Sequence, residues 1–320
     1  MLIWIIDNEW PDYEIEKKAI YEKFPNCEIK FSAEDYKDDL EKFGYNADAI
    51  ICQISVDILK ETIDKLEKCK VISVYGVGYD RVDIKAAKEK GIYVTNVPGY
   101  CAEDVSDYVI AALYRHNKQL SSYNSDIKNG LWGAQAVKRK IKRLSSQSLF
   151  IVGFGRIGRL IANKAVAFGM TVMYYDPFVS QETAKEMGVT KVEFEEGFKT
   201  ADYISLNSKL DNTTKHLISE KELNLMKPEA HIINASRGKV IDEKALIKAV
   251  ESGKIEGATL DVIENEPPTG NEDVFKCEKI FVTPHISYFS VDSLNELQLT
   301  AALNAINILD GKIISEIVNK

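Results

Sequence analysis

The stretch Leu149–Asp176, LFIVGFGRIGRLIANKAVAFGMTVMYYD, decides the reading of this chain. An apolar run over Leu149–Val152 stops at Gly153, where the spacing G-x-G-x-x-G opens with Gly153, Gly155 and Gly158. An amphipathic stretch continues to Phe168, and a second apolar run, Thr171–Tyr175, ends on Asp176. Strand, glycine turn, helix, strand and terminal acid follow in the order of a dinucleotide-binding βαβ unit. Asp176 comes 18 residues after Gly158, close to the spacing at which an acid meets the adenosine ribose. A lone glycine pattern is weak evidence, but the complete unit is specific.

Each part of the unit has a physical task. Gly153 permits a tight turn, and Gly155 lets backbone amides approach a pyrophosphate with no side chain in the way. Gly158 allows close packing of helix on strand, and the helix N-terminus offers N–H groups to the phosphates. Arg156 and Ile157 complete the fingerprint. Asp176 accepts hydrogen bonds from ribose hydroxyls and repels a 2′-phosphate, which favours NAD over NADP. Pro177 removes a backbone N–H just after it, so a phosphate nest is not expected there.

Composition narrows the class. At 320 residues the chain has room for two domains, and 45% hydrophobic with 28% charged residues is ordinary for a globular protein. No apolar run approaches the roughly 20 residues that span a bilayer, so no membrane partner is expected. The opening MLIWIIDNEW lacks a basic segment and a cleavage site, and reads as a first strand. Five scattered cysteines without a C-x-x-C point to reduced thiols in a cytoplasmic protein, with no disulfide framework and no metal site. A net charge of −8 argues against nucleic acid, and the basic cluster Lys138–Arg143 reads as a solvated connector.

Two alternating series of strands and helices imply an α/β protein with two doubly wound parallel-sheet domains. In the first series the strand candidates are Leu2–Ile6, Glu28–Phe31, Ala49–Gln53, Val71–Val74 and Ile92–Thr95. Helix candidates between them are Asp12–Phe24, Ala33–Phe43, Val56–Glu67 and Ile84–Lys90. The second series has six strand candidates: Leu149–Val152, Thr171–Tyr175, Tyr203–Leu206, His231–Asn234, Ala258–Asp261 and Ile280–Thr283. A long helix candidate, Ala102–Gln119, runs between the series. The last helix, Val291–Asp310, is surplus to the second sheet and is expected to return to the first domain. The expected division is therefore 1–98 plus 291–320 for a flavodoxin-like substrate domain, and 99–290 for an inserted Rossmann domain.

Hydride transfer to a carbonyl needs a proton donor, and the chain has four histidines. His116, His216 and His231 sit late in a helix, at the start of a helical region and at the start of a buried strand, where structural roles are expected. His285 differs, because it follows Thr283–Pro284 beyond the last strand, at the carboxyl edge where open α/β sheets bind ligands. Arg237 follows the His231–Asn234 strand, where a guanidinium fork can grip a carboxylate. Glu266 follows the Ala258–Asp261 strand, and a carboxylate beside His285 would fix its tautomer and favour its charged form. In the first domain, Tyr75–Asp83 follows a strand, and its two glycines could expose the amides of Val77 and Gly78 to an anion.

These residues carry a resemblance. GVGYDRVD at Gly76–Asp83, NVPGYCAEDVSD at Asn96–Asp107, VGFGRIG at Val152–Gly158, NASRG at Asn234–Gly238, DVIENEP at Asp261–Pro267 and TPH at Thr283–His285 resemble the D-isomer-specific 2-hydroxyacid dehydrogenases. The resemblance implies that Arg237 holds the substrate carboxylate and carbonyl, and that Glu266 and His285 form the acid–base pair. It also implies that Val77 and Gly78 amides complete the carboxylate site, with closure of a cleft between two domains. Tyr100 and Tyr288 are further substrate candidates, and Asn207, Ala235, Ser236, Asp261 and Val105 join the fingerprint and Asp176 as cofactor candidates. A homodimer built around the helix after Cys101 is implied too. PGYCAEDVSD and the tail from Pro284 look most like the branch that contains the C-terminal-binding-protein corepressors. Asn207–Leu210 stands where the family commonly has an H-x-P-L stretch, and Ser146 and Phe150 replace frequent glycines, which reads as packing variation.

The expected function is NAD-dependent reduction of a small 2-keto acid to the D-2-hydroxy acid. Two alternatives are an NAD(H)-sensing, corepressor-like interaction protein and an NADP-preferring glyoxylate or hydroxypyruvate reductase; Asp176 argues against the latter's cofactor. With the chain ending at Lys320, no added regulatory domain is expected.

Overall fold

The computed structural model describes residues 1–320, with every side chain except that of Thr183. The chain divides into two compact units, one of residues 1–100 with 289–320 and one of residues 101–288. The crossings fall at Tyr100–Cys101 and Tyr288–Phe289, each two residues inside the span expected for the second domain.

In the first unit, five strands alternate with four helices: β1 (Leu2–Ile6), α1 (Glu14–Lys23), β2 (Glu28–Ser32), α2 (Lys37–Lys42), β3 (Ala49–Gln53), α3 (Lys60–Lys65), β4 (Val71–Tyr75), α4 (Ile84–Glu89) and β5 (Tyr93–Thr95). The strands pair in parallel in the order β2-β1-β3-β4-β5, the flavodoxin-like arrangement. β1, β3 and β4 are buried along their whole length, as the near-continuous apolar sequence of a doubly covered sheet requires. Two expected helices start late. Residues 34–36 form a turn, and Ile58 is drawn into an extended bridge to Val82, with Ile58 N–H on Arg81 O (3.0 Å) and Asp83 N–H on Ile58 O (3.0 Å). The apolar spacing at Val56 and Ile58 therefore serves an extended segment rather than a helix face.

The second unit opens with α5 (Ala102–Asn117) and α6 (Leu120–Lys128). It continues through β6 (Ser148–Val152), α7 (Arg156–Ala167), β7 (Thr171–Tyr175), α8 (Gln181–Lys185), β8 (Thr190–Lys191), α9 (Phe194–Thr200) and β9 (Tyr203–Leu206). The remaining elements are α10 (Glu220–Leu225), β10 (His231–Asn234), α11 (Glu243–Glu251), β11 (Gly257–Leu260) and β12 (Ile280–Val282). The sheet has seven parallel strands in the order β12-β11-β10-β9-β6-β7-β8, not the six expected. The addition is β8, whose two residues are too few to show an alternation in sequence. Alternation along β6 sends Leu149 and Ile151 into one core layer and Phe150 and Val152 into the other. Phe150 has room because Gly197 on α9 faces it; a Cβ at Gly197 would stand 2.3 Å from the Phe150 ring.

The final helix, α12 (Val291–Leu309), belongs to the first unit and packs on β3, β4 and α1. Ser73 Oγ donates to Ala301 O (2.9 Å) and Asn304 Nδ2 to Asn96 O (3.0 Å), which pins the helix to the sheet. Among the described residues no helix is long and apolar enough to cross a membrane.

Two histidines outside any expected chemistry pack against each other in the second unit. The His116 and His231 rings stack with centroids 3.8 Å apart. Burial, reinforced by the neighbouring Arg139 and Arg115 charges, pushes His116 down to about 3, and burial holds His231 well below the ordinary histidine range. Both are thus neutral in the folded protein, whereas the unfolded chain takes up protons as pH falls through about 6.5. Stability should be complete above that pH and decline below it, by up to roughly 1.4 kcal/mol per pH unit for each histidine. Denaturant titrations between pH 7.5 and 5 should show this decline in the wild type and a shallower one in His116→Gln; equal slopes would exclude the pair as its source.

Candidate active site

Because all seven strands of the second sheet run parallel, the loops after their carboxyl ends share one edge. Those loops carry the fingerprint, Asp176, Asn207, Arg237, Asp261, Glu266 and His285.

The glycine turn fits a dinucleotide. Gly153 has φ +91°, and a Cβ there would come within 2.8 Å of the Asn207 carbonyl. A Cβ at Gly158 would meet Gly153 O at 2.3 Å, so strand and helix approach as closely as the fingerprint demands. At Gly155, by contrast, a Cβ would meet nothing within 4 Å: space lies open at the N-terminus of the twelve-residue α7, which no side chain caps. Arg156 and Ile157 form its first turn. Asp176 Oδ2 accepts the Phe154 N–H (2.8 Å) and Oδ1 the Phe178 N–H (2.8 Å), which fixes the carboxylate beside the turn. Each oxygen retains a further lone pair for a ribose hydroxyl. Asn207 bonds back to Ser205 through its side chain (3.0 Å), and Val105 on α5 is buried.

Arg237 is presented by a turn that Asn234 shapes. The fully buried Asn234 side chain donates to Arg237 O (3.0 Å) and accepts from Ser236 N–H (3.0 Å) and Oγ (2.8 Å). Ala235 and Ser236 lie half-buried in the same turn. Gly238 then lets this loop press on the next: a Cβ there would stand 1.8 Å from Ile263 O. That contact brings the Arg237 and Glu266 loops together.

His285 Nδ1 and Glu266 Oε2 lie 2.9 Å apart, each side chain about a quarter exposed. Since an ionised carboxylate only accepts, Nδ1 carries the proton in this pair and Nε2 is the outward nitrogen. Glu266 Oε1 accepts the Ile263 N–H (2.9 Å). Burial works to raise the Glu266 carboxyl, but the bond and charge of His285, the Ile263 amide and Arg237 together hold it below the usual carboxylate range. The Tyr288 ring stands edge-on to the His285 ring, centroids 6.4 Å apart. His285 itself adopts φ +52°, an uncommon conformation for a residue other than glycine. Its N–H bonds to Asp261 O (2.8 Å) and Thr283 O (3.0 Å).

Asp261, a cofactor candidate from sequence, is almost fully buried and turns its carboxylate onto this loop. Oδ1 accepts from Thr283 Oγ1 (2.6 Å) and Ile286 N–H (2.9 Å), and Oδ2 from Ser287 N–H (2.8 Å). Thr283 in turn meets the Tyr108 hydroxyl at 2.6 Å. Asn234, Thr283 and Tyr108 were not picked out by sequence. The first two lie in the quoted NASRG and TPH stretches, but nothing in the pattern announced their bonds.

In the first unit, the loop after β4 leaves Val77 exposed and Gly78 half-exposed. Asn96 Nδ2 donates to Val77 O (2.7 Å), and Gly76, at φ +150°, packs where a Cβ would strike Ile54. Tyr100 is mostly buried.

A family model described as D-isomer specific 2-hydroxyacid dehydrogenase, NAD binding domain, matches residues 110–287. The glyoxylate reductase of Thermococcus litoralis is 38% identical over 278 residues, 85% of this chain and 84% of the relative. That of Pyrococcus furiosus is 34% identical over 280 residues, 86% and 83% of the two chains. The solved structure of the D-lactate dehydrogenase of Aquifex aeolicus, complexed with NAD and lactic acid, superposes with a TM-score of 0.89 at 26% identity, covering 100% of this chain and 99% of that one. The corepressor-branch likeness read from PGYCAEDVSD gives way here to similarity with glyoxylate reductases.

The Gly238 contact is directly testable. Gly238→Ala should force the two loops apart, cost roughly 1–3 kcal/mol of stability and depress turnover, because Arg237 and Glu266 part company. A variant with wild-type Tm and kcat would show that the close approach is dispensable.

Proposed function

The chain belongs to the D-isomer specific 2-hydroxyacid dehydrogenase family, oxidoreductases acting on CH–OH groups, and on that premise we propose that it reduces glyoxylate or a comparably small 2-keto acid with NADH. The observation that carries this reading is the His285–Glu266 pair (2.9 Å), with Arg237 on the adjoining loop. Similarity to glyoxylate reductases supports the choice of substrate class.

When bound, the nicotinamide supplies or takes up a hydride. The residues of the chain do the rest. Arg237 grips the substrate carboxylate and carbonyl oxygen, positioning C2 and drawing charge from it. Protonated His285 gives its Nε2 proton to the carbonyl oxygen as the alkoxide develops, and Nε2 takes it back in the oxidative direction. Glu266, held ionised, keeps the Nδ1 proton in place and faces the imidazolium charge. Val77 and Gly78 are proposed as backbone donors to the substrate carboxylate, with Tyr100 and Tyr288 as apolar contacts. Gly155, Arg156 and Ile157 would hold the pyrophosphate and Asp176 the adenosine ribose, with Asn207, Ala235 and Ser236 along the same edge. A carboxylate at the ribose favours NADH over NADPH. The exposed apolar side chains of Leu120, Ile127 and Trp132 in and after α6 support a homodimer that covers them.

Initial rates with NADH over glyoxylate, hydroxypyruvate, pyruvate and a bulky keto acid should rank glyoxylate first in kcat/KM; a clear preference for the bulky acid would overturn the substrate assignment. Arg237→Lys keeps a charge but loses the planar fork, and should lower kcat/KM by at least about 100-fold.

Glu266→Gln removes the charge that faces the imidazolium and should lower kcat, and His285→Gln should abolish turnover. Retained activity in His285→Gln would remove this residue from the mechanism. KM for NADH should lie at least about tenfold below that for NADPH, and Asp176→Ala should narrow the gap; equal values in the wild type would refute the NADH assignment.

A further inference from the structure

We infer that Tyr108 and Thr283 are positioning residues, forming with Asp261 a directed hydrogen-bond relay that sets where the His285 imidazole stands. The inference rests on the proposal that His285 is the proton donor.

The direction of the relay follows from proton count. Asp261 Oδ1 accepts from Thr283 Oγ1 at 2.6 Å, which uses the single hydroxyl proton of Thr283. At the 2.6 Å contact between Tyr108 and Thr283, the tyrosine must therefore donate. Burial, only partly opposed by the hydrogen bond with Thr283, pushes the Tyr108 hydroxyl up to about 12, so it keeps the proton it has to give.

The relay ends inside the turn that carries His285. Around the Asp261 carboxylate sit the Thr283 hydroxyl and the amides of Ile286 and Ser287, and the Asp261 carbonyl takes the His285 N–H. The backbone of His285 is thus held on both sides in a conformation that side chains other than glycine rarely adopt. Tyr108 ties this turn to α5, 175 residues earlier in the chain. Neither hydroxyl bonds to His285 or Glu266 directly; each acts through the path of the backbone. Loosening that path lets the imidazole drift from Glu266, and small displacements of a reacting group are costly in rate.

The test uses the full-length chain with NADH and the best keto acid. Thr283→Val, which removes the hydroxyl at nearly constant volume, should lower kcat about 10- to 100-fold, and Tyr108→Phe about tenfold. KM for the keto acid and Kd for NADH, read from its fluorescence, should stay within about twofold, since neither residue is assigned a contact with either. Thr283→Ser should restore most of the turnover. A staple of purely structural value would lower Tm and leave kcat of the folded enzyme unchanged, and that result would overturn the inference. So would a loss seen mainly in the Kd for NADH. Should Thr283→Val fail to fold, Tyr108→Phe, which deletes only the phenolic hydroxyl, decides the matter by the same readouts. His285→Gln run alongside separates the two levels: activity in that variant defeats the mechanism itself, whereas its inactivity beside wild-type behaviour of Tyr108→Phe and Thr283→Val defeats the relay alone.

Discussion

Parallelism of the second sheet is the constraint on which everything else depends. A strand that enters the sheet at its amino edge must leave at the carboxyl edge, and the connection that follows carries the chain back. Seven parallel strands therefore deliver seven loops to one edge of that sheet. Residues as distant in sequence as Gly153 and His285 share that edge without any contact between them having to specify it. No side chain of the candidate site lies on a strand interior, so the core can be packed for stability while the loops carry the chemistry.

Loops are ordinarily the mobile parts of a fold, and here two buried polar side chains make them rigid. Asn234 at the end of β10 ties the Arg237 turn to itself, and Asp261 just after β11 gathers the turn of residues 283–287. Each is sealed from water, so its hydrogen bonds have no solvent competitor and would be costly to leave unmade. The backbone contact at Gly238 then locks one loop against the next. Preorganisation of this kind is what transition-state stabilisation by fixed groups requires, because nothing must reorganise when charge develops.

Much of this architecture was legible in the sequence. Glycine spacing, apolar runs and the terminal acid located β6, α7 and β7 to within a residue or so, and Arg237, Glu266 and His285 stood out because each follows a strand. What escaped was governed by distant parts of the chain. β8 is too short to own a pattern, and Ile58 leaves its helical spacing to pair with Val82. Thr283 and Tyr108 look like ordinary turn and helix residues until tertiary folding brings their hydroxyls together. The bonds of Asp261 escaped for the same reason: position along a strand tells which edge a carboxylate reaches, not which donors it finds there. Phe150, read as packing variation, required the structure to show that Gly197 is the residue that makes room.

The return of α12 to the first unit has a consequence for how the molecule is made. Residues 101–288 form an uninterrupted segment, whereas the unit that holds residues 1–100 needs residues 289–320 to close it. A ribosome thus delivers the later unit entire while the earlier one still lacks the helix that covers β3 and β4. During that interval a face rich in isoleucine and valine lies bare, with the Ser73 hydroxyl waiting for the carbonyl of Ala301. Arrest or truncation of the nascent chain before residue 291 would leave a finished nucleotide-binding unit attached to an adhesive, half-built neighbour, a natural client for chaperones and proteases.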